Sequence, residues 1–133
     1  MAIKMRVVYY TPNLKNLAEQ ISDGADCKAD TVPPAYNIEK QKLLVICTKA
    51  FKNIPDDLSR FLGGLDKTRA ANVVFVIDGK EGTAGNLVDR TRNAGTNVVA
   101  NTIYVKSNLF GKISPAEIER VKTWKDEVVA SLS

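Results

Sequence analysis

Two uninterrupted apolar runs constrain this chain more than anything else in it. Leu43-Leu44-Val45-Ile46 and Val73-Val74-Phe75-Val76-Ile77 show no polar alternation. A strand that is apolar on both faces needs cover on both faces. That condition is met inside a parallel sheet flanked by helices. The runs predict strands over Lys42–Thr48 and Asn72–Asp78. Two more strands are predicted at Met5–Tyr10 and Asn97–Val105. A fifth, at Lys28–Val32, is short and polar and is stopped by Pro33-Pro34, which suits a sheet edge.

Amphipathic segments alternate with these strands. The first covers Pro12–Ser22, with Thr11 as N-cap, Pro12 at the first helical position and Gly24 near the end. Its Leu14, Leu17, Ala18 and Ile21 share one face. The second covers Pro55–Leu65, with Leu58, Phe61, Leu62 and Leu65 on one face. The third covers Gly85–Ala94 and is closed by Gly95. The last, Pro115–Leu132, opens on the capping box Ser114-Pro115-Ala116-Glu117 and buries Ile118, Val121, Trp124, Val128 and Leu132. Strand-helix alternation implies parallel strands joined by right-handed crossovers. The expectation is one α/β domain, residues 1–133, a three-layer α/β/α sandwich on a five-stranded parallel sheet of order 2-1-3-4-5. Its switch point would bring the loops after Tyr10, Thr48 and Asp78 together.

Composition removes several chemistries. Among 133 residues there is no histidine, so neither a Ser-His-Asp nor a Cys-His mechanism can be built within this chain. Two cysteines, Cys27 and Cys47, are too few for a disulfide scaffold, and no Cys/His cluster has zinc spacing. No apolar run approaches the roughly 20 residues that span a bilayer. The N-terminus lacks the apolar core of a signal peptide, so a cytoplasmic chain without a membrane partner is expected. The net charge is +4. Lys49 with Lys52, or Arg90 with Arg92, could meet an acidic partner or simply be solvated. No basic-aromatic pattern of nucleic-acid binders is present, and no nucleic-acid partner is expected.

Val7-Val8-Tyr9-Tyr10 followed by Asn16-Leu17-Ala18-Glu19-Gln20-Ile21 resembles the first strand and helix of short flavodoxins. Asn37–Ile46, Ile54–Leu62, Asn93–Val99 and the terminal Ser114–Leu132 segment extend the resemblance to the flavodoxin family over nearly the whole chain. It implies a site for flavin mononucleotide (FMN) built from three loops. In the family the first loop follows roughly T-x-T-G-x-T and wraps the phosphate. Here it reads Thr11-Pro12-Asn13-Leu14-Lys15-Asn16, about two residues shorter, with one hydroxyl and no glycine. The resemblance assigns the phosphate to Thr11, Asn13, the N–H groups of Asn13, Leu14 and Lys15, and the Lys15 ammonium. Thr11-Pro12 is also ordinary helix-start chemistry.

The second loop, Thr48-Lys49-Ala50-Phe51, stands where the family has G-[ST]-P and a stacking aromatic. Phe51 is the stacking candidate; packing onto the core is the other reading. Lys49 replaces the proline, and its charge would favour the anionic reduced flavin. The third loop, Asp78-Gly79-Lys80-Glu81-Gly82, offers glycines for close approach to a flat ring, or for any tight turn.

Other proteins of this topology are set aside on their motifs. A response-regulator receiver needs acids where Tyr10-Thr11 stand, and an aspartate where Cys47-Thr48 stand. A low-molecular-weight tyrosine phosphatase needs Cys-x5-Arg, and neither cysteine has it. Two functions follow from the resemblance. One is an FMN-bearing electron carrier or oxidoreductase serving a redox partner protein. The other is a flavin-free interaction module. The framework, Phe51 and the third loop favour the first, which is the expectation taken forward.

Overall fold

In the computed structural model, residues 3–23, 27–34, 37–99 and 101–132 are described. The elements are β1 (Met5–Tyr9), α1 (Lys15–Asp23), β2 (Ala29–Thr31), β3 (Leu43–Lys49), α2 (Asp56–Gly63), β4 (Asn72–Asp78), α3 (Gly85–Asn93), β5 (Asn97–Val98), β6 (Ile103–Val105) and α4 (Pro115–Leu132). All strand pairs are parallel, in the order β2-β1-β3-β4-β5, with β6 also on β4. This is the expected order.

The expected fifth strand is two. β5 pairs with Asn72 and Val73, and β6 pairs with Val76, Ile77 and Asp78. Between them the Asn101 carbonyl accepts a hydrogen bond from Trp124 Nε1 of α4 at 3.3 Å. The helix takes a carbonyl that a continuous strand would have given to β4. Gly24 and Ala100 lie outside the described residues.

Side-chain alternation divides the core into two layers. Val7, Leu43, Val45, Cys47, Val74 and Val76 meet α1 and α4. Val8, Leu44, Ile46, Val73, Phe75 and Ile77 meet α2 and α3. Both central strands are buried up to their last residues, Lys49 and Asp78, which explains their unbroken apolar runs. At the α4 start the Ser half of the capping box forms, the Glu117 N–H donating to Ser114 Oγ at 3.3 Å, while the Glu117 carboxylate pairs with Arg120. α4 also buries Lys125, whose stem lies along the core while its Nζ pairs with Asp126 Oδ1 at 2.7 Å. Among the described residues, no helix is long and apolar enough to cross a membrane.

Candidate functional site

Parallel strands direct their C-terminal ends one way, so the loops after β1, β3, β4 and β6 share one end of the sheet. The loop after β1 does not open into an α-helix directly. Pro12–Leu14 form a 3-10 turn, and α1 begins only at Lys15. The tight turn consumes donors: Leu14 N–H bonds the Thr11 carbonyl at 3.0 Å, and Lys15 N–H bonds that of Pro12. Of the three N–H groups assigned to a phosphate, that leaves the one on Asn13. The Leu14 side chain is fully buried in the core, and Lys15 is exposed. Thr11 occupies the N-cap position but makes no capping bond, and its Oγ1 is buried without a partner.

Asn13 is committed as well. Its Nδ2 donates to Asp78 Oδ2 and to the Gly111 carbonyl, both at 3.1 Å. The other oxygen of Asp78 accepts from the Ser107 N–H at 3.2 Å. One carboxylate thus joins the end of β4, the start of the first helical segment and the loop before α4. Sequence reasoning placed Asn13 and Asp78 in separate loops and missed their union.

Thr48 is buried, and its hydroxyl donates to the Lys49 carbonyl at 3.2 Å. Phe51 stays half-buried at the rim. Tyr10 meets it edge-on, with centroids 5.8 Å apart and planes at 83°, and Lys49 Nζ lies 5.8 Å from the Phe51 centroid. The Phe51 carbonyl accepts from Asn86 Nδ2 at 2.7 Å, which ties this loop to α3. The second and third loops touch directly. Ala50 N–H bonds the Asp78 carbonyl at 3.3 Å, and a Cβ on Gly79 would stand 3.1 Å from Ala50 Cβ. A flat ring between Ala50 and Gly79 would need about 3.5 Å of clearance on each side. None exists there. Outward of that contact, an open cleft of about 430 Å³ is lined by Ala50, Phe51, Lys52, Lys80 and Thr83. Gly82, at φ +86, forms an open turn beyond it.

Tyr10 also makes a short polar link at this end, its hydroxyl donating to Asp57 Oδ1 at 2.6 Å. That bond lowers the Asp57 carboxyl below its ordinary value and raises the Tyr10 phenol above its own. A lowered carboxyl supports the fold above the usual carboxylate range and loses that support as pH falls through its folded value. A raised phenol supports the fold below about pH 10 and loses that support as pH rises through its folded value. The stability difference between wild type and Tyr10→Phe is therefore expected to be widest at intermediate pH and to shrink toward both extremes. Urea unfolding across pH measures it; a difference that stays flat would mean the bond does not form. Beneath the site, burial pushes the Cys47 thiol up to about 12, which makes it a poor nucleophile. Among the described residues, no group of three or more metal-ligating side chains converges.

The parallel order, the two-sided helical cover and the loop cluster define a flavodoxin-like fold. Comparison with solved structures agrees. The flavodoxin of Streptococcus pneumoniae TIGR4 superposes with a TM-score of 0.65 at 17% identity, over 96% of this chain and 98% of that one. A flavodoxin from the domain Archaea gives 0.69 at 13% identity, over 98% and 99%. A diflavin flavoprotein from Nostoc sp. gives 0.61 at 16% identity, over 98% and 94%. No protein-family model matches the chain, and no curated protein sequence matches it. At such identities the likeness is one of fold.

The residues present do not fit the phosphate of FMN. A dianion needs several donors to replace its water. Here two of three backbone donors are spent inside the turn, Pro12 has none, and both bonds of Asn13 Nδ2 go to protein oxygens. The Asp78 carboxylate stands at the same corner and would repel the anion.

Proposed function

We propose that this chain is a flavodoxin-fold binding module whose loop end engages a partner without gripping the FMN phosphate. The observation that carries this reading is the bridge from Asn13 to Asp78 and Gly111, which fills the phosphate corner with the chain's own groups. The fold then serves as a rigid platform for surface loops.

A second reading has its own support. Phe51 borders an open cleft of about 430 Å³, and flavodoxins are among the structural neighbours. In that reading a flavin ring rests against Phe51 with its phosphate in solvent, and the module serves a redox partner. Titration with FMN and with riboflavin separates the readings. Each charged hydrogen bond to a phosphate is worth about 1.5–3 kcal/mol, so a gripped phosphate would make FMN tighter by orders of magnitude. The expected result for the module is no saturable binding of either flavin. Equal affinity for both supports the ring-only reading. A strong preference for FMN refutes the closed corner.

A further inference from the structure

The loop between β6 and α4 carries two large apolar side chains in water. Leu109 is 100% exposed and Phe110 is 85% exposed. They do not sit on a slack loop. Asn108 closes the turn with four hydrogen bonds: its N–H to the Lys112 carbonyl, its carbonyl from the Gly111 N–H, and its Oδ1 from the N–H groups of Phe110 and Lys112. Gly111 adopts φ +76, which favours glycine, and its carbonyl is held by Asn13. Two apolar residues are thus fixed at the tip of a preorganised turn, an arrangement that costs solvation and contributes nothing to the core.

The surroundings say what the tip meets. Lys106 and Lys112 flank it and Lys15 opens the neighbouring helix, all three exposed. Of the carboxylates beside them, Glu117 is paired with Arg120, while Asp78 keeps its charge between Asn13 and Ser107, so three lysines stand against one carboxylate bound only by neutral donors. The patch is therefore apolar at its centre and positive at its rim. A second copy of this chain would bring lysines against lysines. Next to the turn lies a cleft of about 410 Å³ between the first helix and the loop, with Asn16, Phe110 and Ile113 in its walls. A lipid surface uses an apolar knob and cations, but a knob beside a side-chain-sized hole matches a structured surface that offers the reverse.

We propose that the Leu109–Phe110 turn is the docking point for an acidic protein. Its apolar pocket would take Leu109 and Phe110, and its carboxylates would meet Lys15, Lys106 and Lys112. This rests on reading the chain as a binding module, but it is tested apart from that reading: flavin titration decides the one, cross-linking at the turn decides the other.

The full chain carries a photo-cross-linking benzoylphenylalanine in place of Asn16, in the cells it comes from. The expected result is one dominant adduct, joined to a carboxylate-rich surface of another protein. Its yield should fall about ten-fold or more in Leu109→Ser/Phe110→Ser, as for a hot-spot pair. It should also fall in Lys106→Glu/Lys112→Glu and in high salt. Both variants touch exposed side chains, and circular dichroism confirms that they fold. Absent or scattered adducts, an adduct to the chain itself, or a yield indifferent to both variants would overturn the proposal. So would Leu109- and Phe110-dependent co-sedimentation with phosphatidylglycerol vesicles, which would assign the turn to a membrane.

Discussion

Phe75→Ala is expected to lower the free energy of unfolding by about 3–5 kcal/mol, the range for deleting a buried aromatic ring. Phe75 is fully buried at the middle of β4, paired with Ile46 of β3. Its ring belongs to the layer formed with Leu58, Leu62 and Leu87 from α2 and α3. Nothing near it can fill the hole cheaply. The sheet fixes it from below, and the helices are held by their own packed leucines. On its outer side β4 has β5 at Val73 and β6 from Val76, so Phe75 stands opposite the interruption between them. Guanidinium unfolding at constant slope measures the loss. A loss below about 1.5 kcal/mol would mean that the layer repacks. Phe110→Ser provides the contrast. It removes a ring of similar size from water and should change stability by no more than about 0.5 kcal/mol.

Asp78→Ala tests the polar counterpart of that core. The carboxylate accepts from Asn13 Nδ2 and from the Ser107 N–H. Bonds to a charged group are worth about 1.5–3 kcal/mol each, and partial exposure reduces the sum to about 1–3 kcal/mol for the site. The stability change is the smaller part of the expectation. Without Asp78, the loop before α4 keeps the Gly111 carbonyl on Asn13 as a hydrogen bond to the first helical segment but loses the Ser107 anchor to β4. Amide exchange across residues 107–112 should accelerate while that of β3 and β4 stays slow. Unchanged exchange in the turn would show that Asn108 alone holds it. Because the proposed docking turn depends on that preorganisation, the same variant should weaken partner engagement without touching an exposed side chain of the patch.

The parts of this protein that could be read from residue order are those with local causes. Leu43–Ile46 and Val73–Ile77 had to be central strands, because only cover on both sides removes both of their faces from water. Pro33-Pro34 marked the edge beside β2, and Ser114 with Glu117 marked the start of α4. The Lys125 stem along the core was hidden, since a long cationic side chain reads as surface until its helix is docked. The split of the last strand was hidden for a related reason. The Trp124 indole that takes the Asn101 carbonyl lies 23 residues away. Asn108-Leu109-Phe110-Gly111 did carry a signal, a turn sequence with two bulky apolar residues at its tip.

Hydrophobic periodicity acts between near neighbours, and it was enough to mark the helical segments and the central strands. The state of the loop end rests on pairings that no local pattern encodes. Asn13 finds Asp78 65 residues away and Gly111 98 residues away. A hydrogen-bond donor can be spent only once: the 3-10 turn spends the Leu14 and Lys15 N–H groups locally, and folding spends the Asn13 amide by bringing its distant partners within reach.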